Sequence, residues 1–248
     1  MKSKAMRVAI ISDIHSNHEA LTAVLEYCRF NRIHKYICLG DVVGYGADPN
    51  PCCDLLREVT SVTLLGNHDA AVSGLMDTQF YYPAAREALY WTRSQLSDEN
   101  FRWLYGLPYS YQMENLSFFH SAPLRPSGFF YVVRNEDAQA HVKMYDLLHE
   151  FNFVGHSHLT NQYTVGPRRA KDLSGEPVTY RHDQRWIINV GSVGQPRDRD
   201  QRACFGIFDT ETQTFEHVRV DYDIETTAGK ILKAGLDEKF AMRLFVGI

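Results

Sequence analysis

Val8-Ala9-Ile10-Ile11-Ser12-Asp13-Ile14-His15 reads as a short buried strand that stops at a carboxylate and an imidazole. Four more apolar runs end the same way. Tyr36-Ile37-Cys38-Leu39 stops at Gly40-Asp41, and Val62-Thr63-Leu64-Leu65 stops at Gly66-Asn67-His68-Asp69. Leu116-Ser117-Phe118-Phe119 stops at His120, and Phe151-Asn152-Phe153-Val154 stops at Gly155-His156-Ser157-His158. In sheet-based α/β folds the chemistry gathers just past the carboxyl ends of the strands. Strands lying side by side would bring Asp13, His15, Asp41, Asn67, His120, His156 and His158 into one pocket. Those oxygen and nitrogen donors are enough for two metal ions.

Around these runs the first half alternates strand with helix, the mark of a mostly parallel sheet with crossover helices. Leu21, Val24, Leu25 and Cys28 recur at helical spacing and end near Phe30. Asn50-Pro51 predicts a helix start, with Leu55, Leu56 and Val59 as its buried stripe. Residues 83–96 read as another helix, and Ser97 caps a short one that Gly106 ends. Residues 109–113 and 116–119, hinged at Glu114-Asn115, read as a hairpin, and a helix is predicted over residues 136–150. Strand-like stretches follow at 161–165, 185–190, 203–209 and 214–220, and the tail from Ile224 reads as two short helices broken at Gly235. With no linker, low-complexity run or repeat, a single domain over residues 1–248 with two sheets is the simplest expectation.

Composition narrows the function classes. A formal net charge of −4 disfavours general nucleic-acid binding, which needs a basic face, and no basic stripe with interleaved aromatics suggests a nuclease. It leaves room for a small anionic substrate, because bound divalent cations reverse the sign of a carboxylate-rich pocket. No apolar run is long enough to span a bilayer, so no membrane partner is expected, and residues 1–6 carry two lysines and lead directly into a strand rather than into a signal peptide. Five cysteines, an odd number at irregular spacing, argue against a disulfide framework and for a reducing cytoplasm.

Taken alone, each element also has a structural reading. Asp41 after glycine is an ordinary turn carboxylate, residues 66–69 make an ordinary loop, and His120 is an ordinary half-buried histidine. Gly155-His156-x-His158 is the sharpest single item, since two imidazoles two apart after a glycine can both face one metal. Arg197, Arg199 and Arg202 lie in a polar loop after Gly191-Ser192. One reading is a solvated charge run; the other is contact with a substrate phosphate by one of them. Chance rarely produces the conjunction of all of them, in order and at strand ends.

That ordered set resembles the calcineurin-like metallophosphoesterases, whose pattern runs Asp-x-His, Gly-Asp, Gly-Asn-His-Asp/Glu, His, Gly-His-x-His. The stretches from Asp41 to Asn50 and from Asn189 to Asp198, with the tail through Ala234-Gly235-Leu236, resemble a bacterial and archaeal phosphodiesterase-like branch. One departure is Ser121-Ala122-Pro123, where many relatives carry Gly-Ser/Thr-Pro after the histidine. The resemblance implies a two-sheet β-sandwich flanked by helices, in four αββα layers. It also implies two divalent transition-metal ions, drawn from Mn, Fe, Zn, Co or Ni. Asp13, His15, Asp41 and His158 would hold one, and Asp41 would bridge to the second, completed by Asn67, His120 and His156. A two-metal site of this kind clamps phosphoryl oxygens and makes hydroxide available near neutral pH. His68 would face the leaving group as general acid, with Asp69 orienting its ring from behind.

The expected activity is therefore hydrolysis of a phosphodiester or nucleotide pyrophosphate, with a phosphomonoester as the alternative. A non-catalytic scaffold of this fold usually lacks part of the set, particularly the histidine of the Gly-Asn-His element, and here the set is complete.

Overall fold

The computed structural model describes residues 6–33 and 35–248. The reading of residues 1–6 falls, except for Met6, outside the described residues. Two mixed sheets face each other. The first has the strand order β11-β10-β1-β2-β3, from β1 (Arg7–Ile11), β2 (Lys35–Cys38), β3 (Val62–Thr63), β10 (Ala203–Asp209) and β11 (Thr214–Val220). The second has the order β4-β5-β6-β9-β7-β8, from β4 (Ser110–Met113), β5 (Leu116–Phe119), β6 (Phe151–Val154), β7 (Gln162–Val165), β8 (Ala170–Asp172) and β9 (Arg185–Asn189). β1, β2 and β3 run parallel, as do β5, β6 and β9, so each sheet delivers several strand ends in one direction.

The central strands β1, β5, β6 and β9 are largely buried on both faces because each face has its own cover. Val8 and Ile10 of β1 pack with Ile37, Phe118, Phe151, Phe153 and Ile188 in the core between the sheets. Their neighbours Ala9 and Ile11 turn the other way, onto Leu21, Val24 and Cys28 of α1 (His18–Phe30) and Cys52, Cys53 and Leu56 of α2 (Pro49–Val59). On the far side of the second sheet, Val154, Tyr163 and Ile187 pack with Ala138 and Leu148. These are the expected four layers. All five cysteines are buried with free thiols.

Several local readings differ from the sequence expectation. α2 starts at Pro49 with Asp48 as its cap residue. Asn50 instead ties helices together, accepting from Ser97 N–H at 2.9 Å and donating to Gln95 C=O at 2.7 Å. The single helix expected over 136–150 is in fact α6 (Asn135–Gln139) followed by a 3₁₀ stretch, Ala140–Leu147, with a break at Met144. β8 is an additional short edge strand. α3 (Asn67–Ser73) starts where a loop was one reading. α4 (Pro83–Gln95) and α5 (Asp98–Tyr105) follow as expected, with Ser97 Oγ accepting from Asn100 N–H at 3.2 Å and Gly106 ending α5. The tail forms α7 (Ile224–Lys233) and α8 (Glu238–Met242), broken at Gly235.

Candidate metal centre and cleft

The carboxyl ends of β1, β2 and β3 meet those of β5 and β6 at one buried point. Backbone hydrogen bonds lace the ends together: Asp13 N–H donates to Gly40 C=O at 2.9 Å and His15 N–H to Asp41 C=O at 3.0 Å. Just past their strands, Asp13, His15, Asp41, His156 and His158 all adopt positive φ, between 49° and 68°. Two glycines let the ends close up. A Cβ on Gly155 would sit 2.0 Å from Ser12 Oγ, and one on Gly66 would sit 2.1 Å from Asp41 Oδ1.

Ligand atoms of Asp13, His15 and His158 lie within 4.8 Å of one another, as do those of Asp41, His120 and His156 and those of His15, Asp41 and His68. In the first group, His15 Nδ1 lies 3.2 Å from Val43 C=O and His158 Nδ1 lies 2.5 Å from Gln195 C=O. Those carbonyls select the Nδ1–H tautomer, which leaves a lone pair on each Nε2. The two Nε2 atoms face each other at 3.0 Å. Asp13 Oδ2 is taken by the His156 N–H at 3.0 Å, while Asp13 Oδ1 is buried without a hydrogen-bond partner, 3.3 Å from His158 Nε2. Buried acceptors that converge with no donor between them fit a cation.

The second group lies beside the first but holds its imidazoles differently. Asp41 Oδ2 lies 3.4 Å from His120 Nε2, and Asn67 Oδ1 lies 3.1 Å from the same nitrogen. Asn67 Nδ2 donates to Tyr81 Oη at 2.7 Å, so its carbonyl oxygen turns to the site. His156 Nε2 donates to Phe129 C=O at 3.0 Å and its ring stacks on Tyr131 with centroids 3.9 Å apart, leaving Nδ1 for a ligand. Carboxylate, amide and imidazole donors without thiolate suit divalent first-row metals.

The charges reinforce one another. Burial alone would raise Asp13 and Asp41, but positive charge beside each, on a protonated His158 at Asp13 and on His120 at Asp41, holds both carboxyls well below the usual range, as a bound cation would. His120 shows the converse, since burial opposes its charge yet the Asp41 carboxylate holds it at about 9. Burial brings His156 down to about 3 and His15 well below its ordinary value.

His68 is buried, with its ring 4.4 Å from that of Tyr45 and 4.8 Å from that of His15. Burial lowers it to about 4, so the free site holds it neutral at pH 7. Its Nδ1 has no hydrogen-bond partner. Asp69 does not orient this ring, contrary to the sequence expectation. Its two oxygens accept from Val43 N–H at 3.2 Å and Gly66 N–H at 3.0 Å, closing the first turn of α3 and pinning the loop after β2. Burial and the nearby Asp41 charge push Asp69 up to about 7.

A cleft of about 520 Å³ opens over the site, lined by Asn67, His68 and His156 and walled by Tyr45, Tyr81, Phe129 and Tyr131. Of the three candidate arginines only Arg197 reaches it. Arg202 is held by Asp200 at 2.6 Å on the surface, and Arg199 does not line the cleft. Sequence reasoning missed the aromatic walls and the tail residues Phe240 and Arg243 that close one side.

The chain matches known proteins over nearly its whole length. An uncharacterised protein of Methanocaldococcus jannaschii is 39% identical over 247 residues, covering 97% of this chain and 98% of that protein. The crystal structure of a metallophosphoesterase from Sphaerobacter thermophilus has a TM-score of 0.84 at 34% identity, covering 99% of this chain and 100% of that chain. A hypothetical protein from Pyrococcus horikoshii has the same fold, with a TM-score of 0.79 at 20% identity over 98% of this chain and 99% of its own. The calcineurin-like phosphoesterase superfamily domain matches residues 6–213, which takes in every strand end that meets at the centre. Two sheets whose parallel strands end in buried aspartates and histidines thus have a family, and this chain belongs to the calcineurin-like phosphoesterase superfamily.

Proposed function

We propose that the protein is a cytoplasmic phosphoesterase with a dinuclear metal centre, hydrolysing a phosphodiester or a nucleotide pyrophosphate. One observation carries the reading: Asp41 joins the two groups of buried acceptors, its Oδ2 3.7 Å from His15 Nε2 of the first and 3.4 Å from His120 Nε2 of the second, with the His68 ring 4.8 Å from that of His15. Asp13, His15, Asp41 and His158 would hold one ion, and Asp41, Asn67, His120 and His156 the other. Such ions, when bound, supply Lewis acidity to phosphoryl oxygens and ionise water near neutral pH. The chain's residues do the rest. Tyr81 fixes the Asn67 amide, and Phe129 C=O fixes the His156 tautomer. A phosphate in the cleft places negative charge beside His68 and raises its pKa from about 4, so that the ring can carry a proton to the leaving oxygen. A cleft of about 520 Å³ with aromatic walls has room for more than a bare phosphate, which supports the diester over the monoester.

The test is a panel of phosphomonoesters, phosphodiesters and dinucleoside polyphosphates assayed with Mn²⁺ before and after chelation. Turnover is expected to vanish with the metals and return with Mn²⁺ or a neighbouring transition ion. Full turnover by protein shown by elemental analysis to be metal-free would sink the mechanism, and a rate confined to monoesters would sink the substrate class.

A further inference from the structure

Two guanidinium groups in the cleft share one neutral acceptor. Arg197 Nη2 and Arg243 Nη1 both donate to Gln195 Oε1, at 2.9 Å and 3.1 Å. The Nε atoms of both arginines are buried without a hydrogen-bond partner. Neighbouring arginines are neutralised, Arg202 by Asp200 and Arg219 by Asp198, but among the described residues no carboxylate pairs with Arg197 or Arg243. Asp237, also on the cleft wall, uses Oδ1 to cap α8 through Lys239 N–H at 2.8 Å. Adjacent cations around a single amide oxygen leave N–H donors and charge that an anion would complete.

The pair is held in place. The Arg197 guanidinium lies 5.8 Å from the Tyr45 ring centroid and that of Arg243 lies 5.7 Å from Phe240. Tyr45 and Phe240 are themselves 4.9 Å apart, and Tyr45 is 4.4 Å from His68. One aromatic floor therefore runs from the proposed general acid to both arginines. Gln195 is fixed from behind, its N–H donating to Ser192 Oγ at 2.9 Å and its C=O accepting from His158.

We propose that Arg197 and Arg243 together hold a second phosphate of the substrate, beyond the scissile one on its leaving-group side. The site would then favour compounds with two or more phosphates over single-phosphate esters. Arg243 comes from the tail, so the tail helices complete the substrate site. This rests on the phosphoesterase reading, and the experiment separates the two.

Kinetics of the Mn²⁺-loaded wild type, Arg243→Ala and Arg243→Lys are compared on a dinucleoside polyphosphate and on bis(p-nitrophenyl) phosphate. Inorganic pyrophosphate affinity is measured in parallel by calorimetry. A lost charge-assisted hydrogen bond predicts a KM for the polyphosphate that rises about 10- to 100-fold in Arg243→Ala. The rise on the aryl diester should be at least tenfold smaller, kcat should be much less affected than KM, and Arg243→Lys should recover part of the loss. Pyrophosphate affinity should fall in step. Equal losses on both substrates, or pyrophosphate binding as tight in Arg243→Ala as in the wild type, would overturn the proposal. If the wild type hydrolyses none of the compounds, the phosphoesterase reading fails, and the calorimetry alone still decides whether Arg243 binds a phosphate.

Discussion

Replacing Gly44 by alanine should displace the His68 ring while leaving the proposed metal ligands in place. A Cβ at position 44 would stand 2.4 Å from His68 Nδ1 and 3.1 Å from its Cγ. Carbon contacts want about 3.5 Å, so the ring must withdraw by about 1 Å. A misplacement of that size near a reacting group costs about 10²-fold in rate. Gly44 also has φ +96°, where a side chain adds strain of about 1–2 kcal/mol. For a domain of this size that predicts a Tm lower by about 2–8 °C with no loss of fold. The assay is kcat on a nucleotide ester with a poor leaving group and on an activated aryl diester, with metal content measured alongside. Removing general acid help costs about 10²–10⁴-fold and matters most for poor leaving groups. The variant should therefore lose more on the nucleotide ester, and His68→Ala more still. In the His68→Ala background, Gly44→Ala should cost little further, because the ring it displaces is gone. Additive losses in the double variant, equal losses on both substrates, or departure of metal would refute the assignment of His68.

Three further outcomes follow from the centre. Asp41→Asn removes the charge that lies between His15 and His120, so metal analysis should show at least one ion lost and turnover of every substrate falling together; a fully loaded Asp41→Asn variant would contradict the bridging role. Tyr81→Phe frees the Asn67 amide to flip and should weaken metal binding by about 10- to 100-fold, read by competitive chelation, with unchanged affinity counting against it. His120 in the metal-free chain is held at about 9, above its ordinary 6.5, by Asp41 against the effect of burial. Its proton therefore stabilises the metal-free fold fully below pH 6.5, and that stabilisation is lost as pH rises through about 9. Because this proton must leave before the ring can ligate, metal affinity should rise about tenfold per pH unit up to that value. Calorimetry in buffers of different ionisation heat should count the released proton, and a flat affinity from pH 7 to 9 would refute it.

The strand ends were legible because a buried strand covered on both faces leaves a short unbroken apolar run, and the polar residue ending it stands out. What lies across the chain from its neighbours was not. The α3 start hid in Gly66-Asn67-His68-Asp69 because the residues that cap a helix are the same ones that make turns. Asp69 looked like a partner for His68 by adjacency, yet at the third helical position its carboxylate reaches back to the Gly66 N–H instead. Asp48 and Asn50 both precede a proline, and only tertiary contacts to Ser97 and Gln95 make Asn50 a tie between helices rather than a cap. The predicted 136–150 helix breaks at Met144, yet Ala138, Val142, Tyr145 and Leu148 still pack on one cluster, so the apolar spacing was legible while the break in the backbone that carries it was not. The tail read correctly as two helices, but nothing local in Phe240 or Arg243 signals that they wall a cleft fed by strand ends more than eighty residues earlier in the chain.

The left-handed backbone at five of the proposed ligand positions sets the order in which this protein should fail. Asp13, His15, Asp41, His156 and His158 hold φ between 49° and 68°, at about 1–2 kcal/mol each for residues with a side chain. Together that is about 5–10 kcal/mol, comparable with the entire net stability of a typical domain. The sheets on either side must therefore be over-determined enough to impose it. When that grip loosens, through heat or a cavity deep in the layer between the sheets, these peptide units have the most to gain by relaxing. Loss of the ligand cradle should then precede loss of the fold, and a destabilised chain would persist as an intact sandwich that no longer retains its ions.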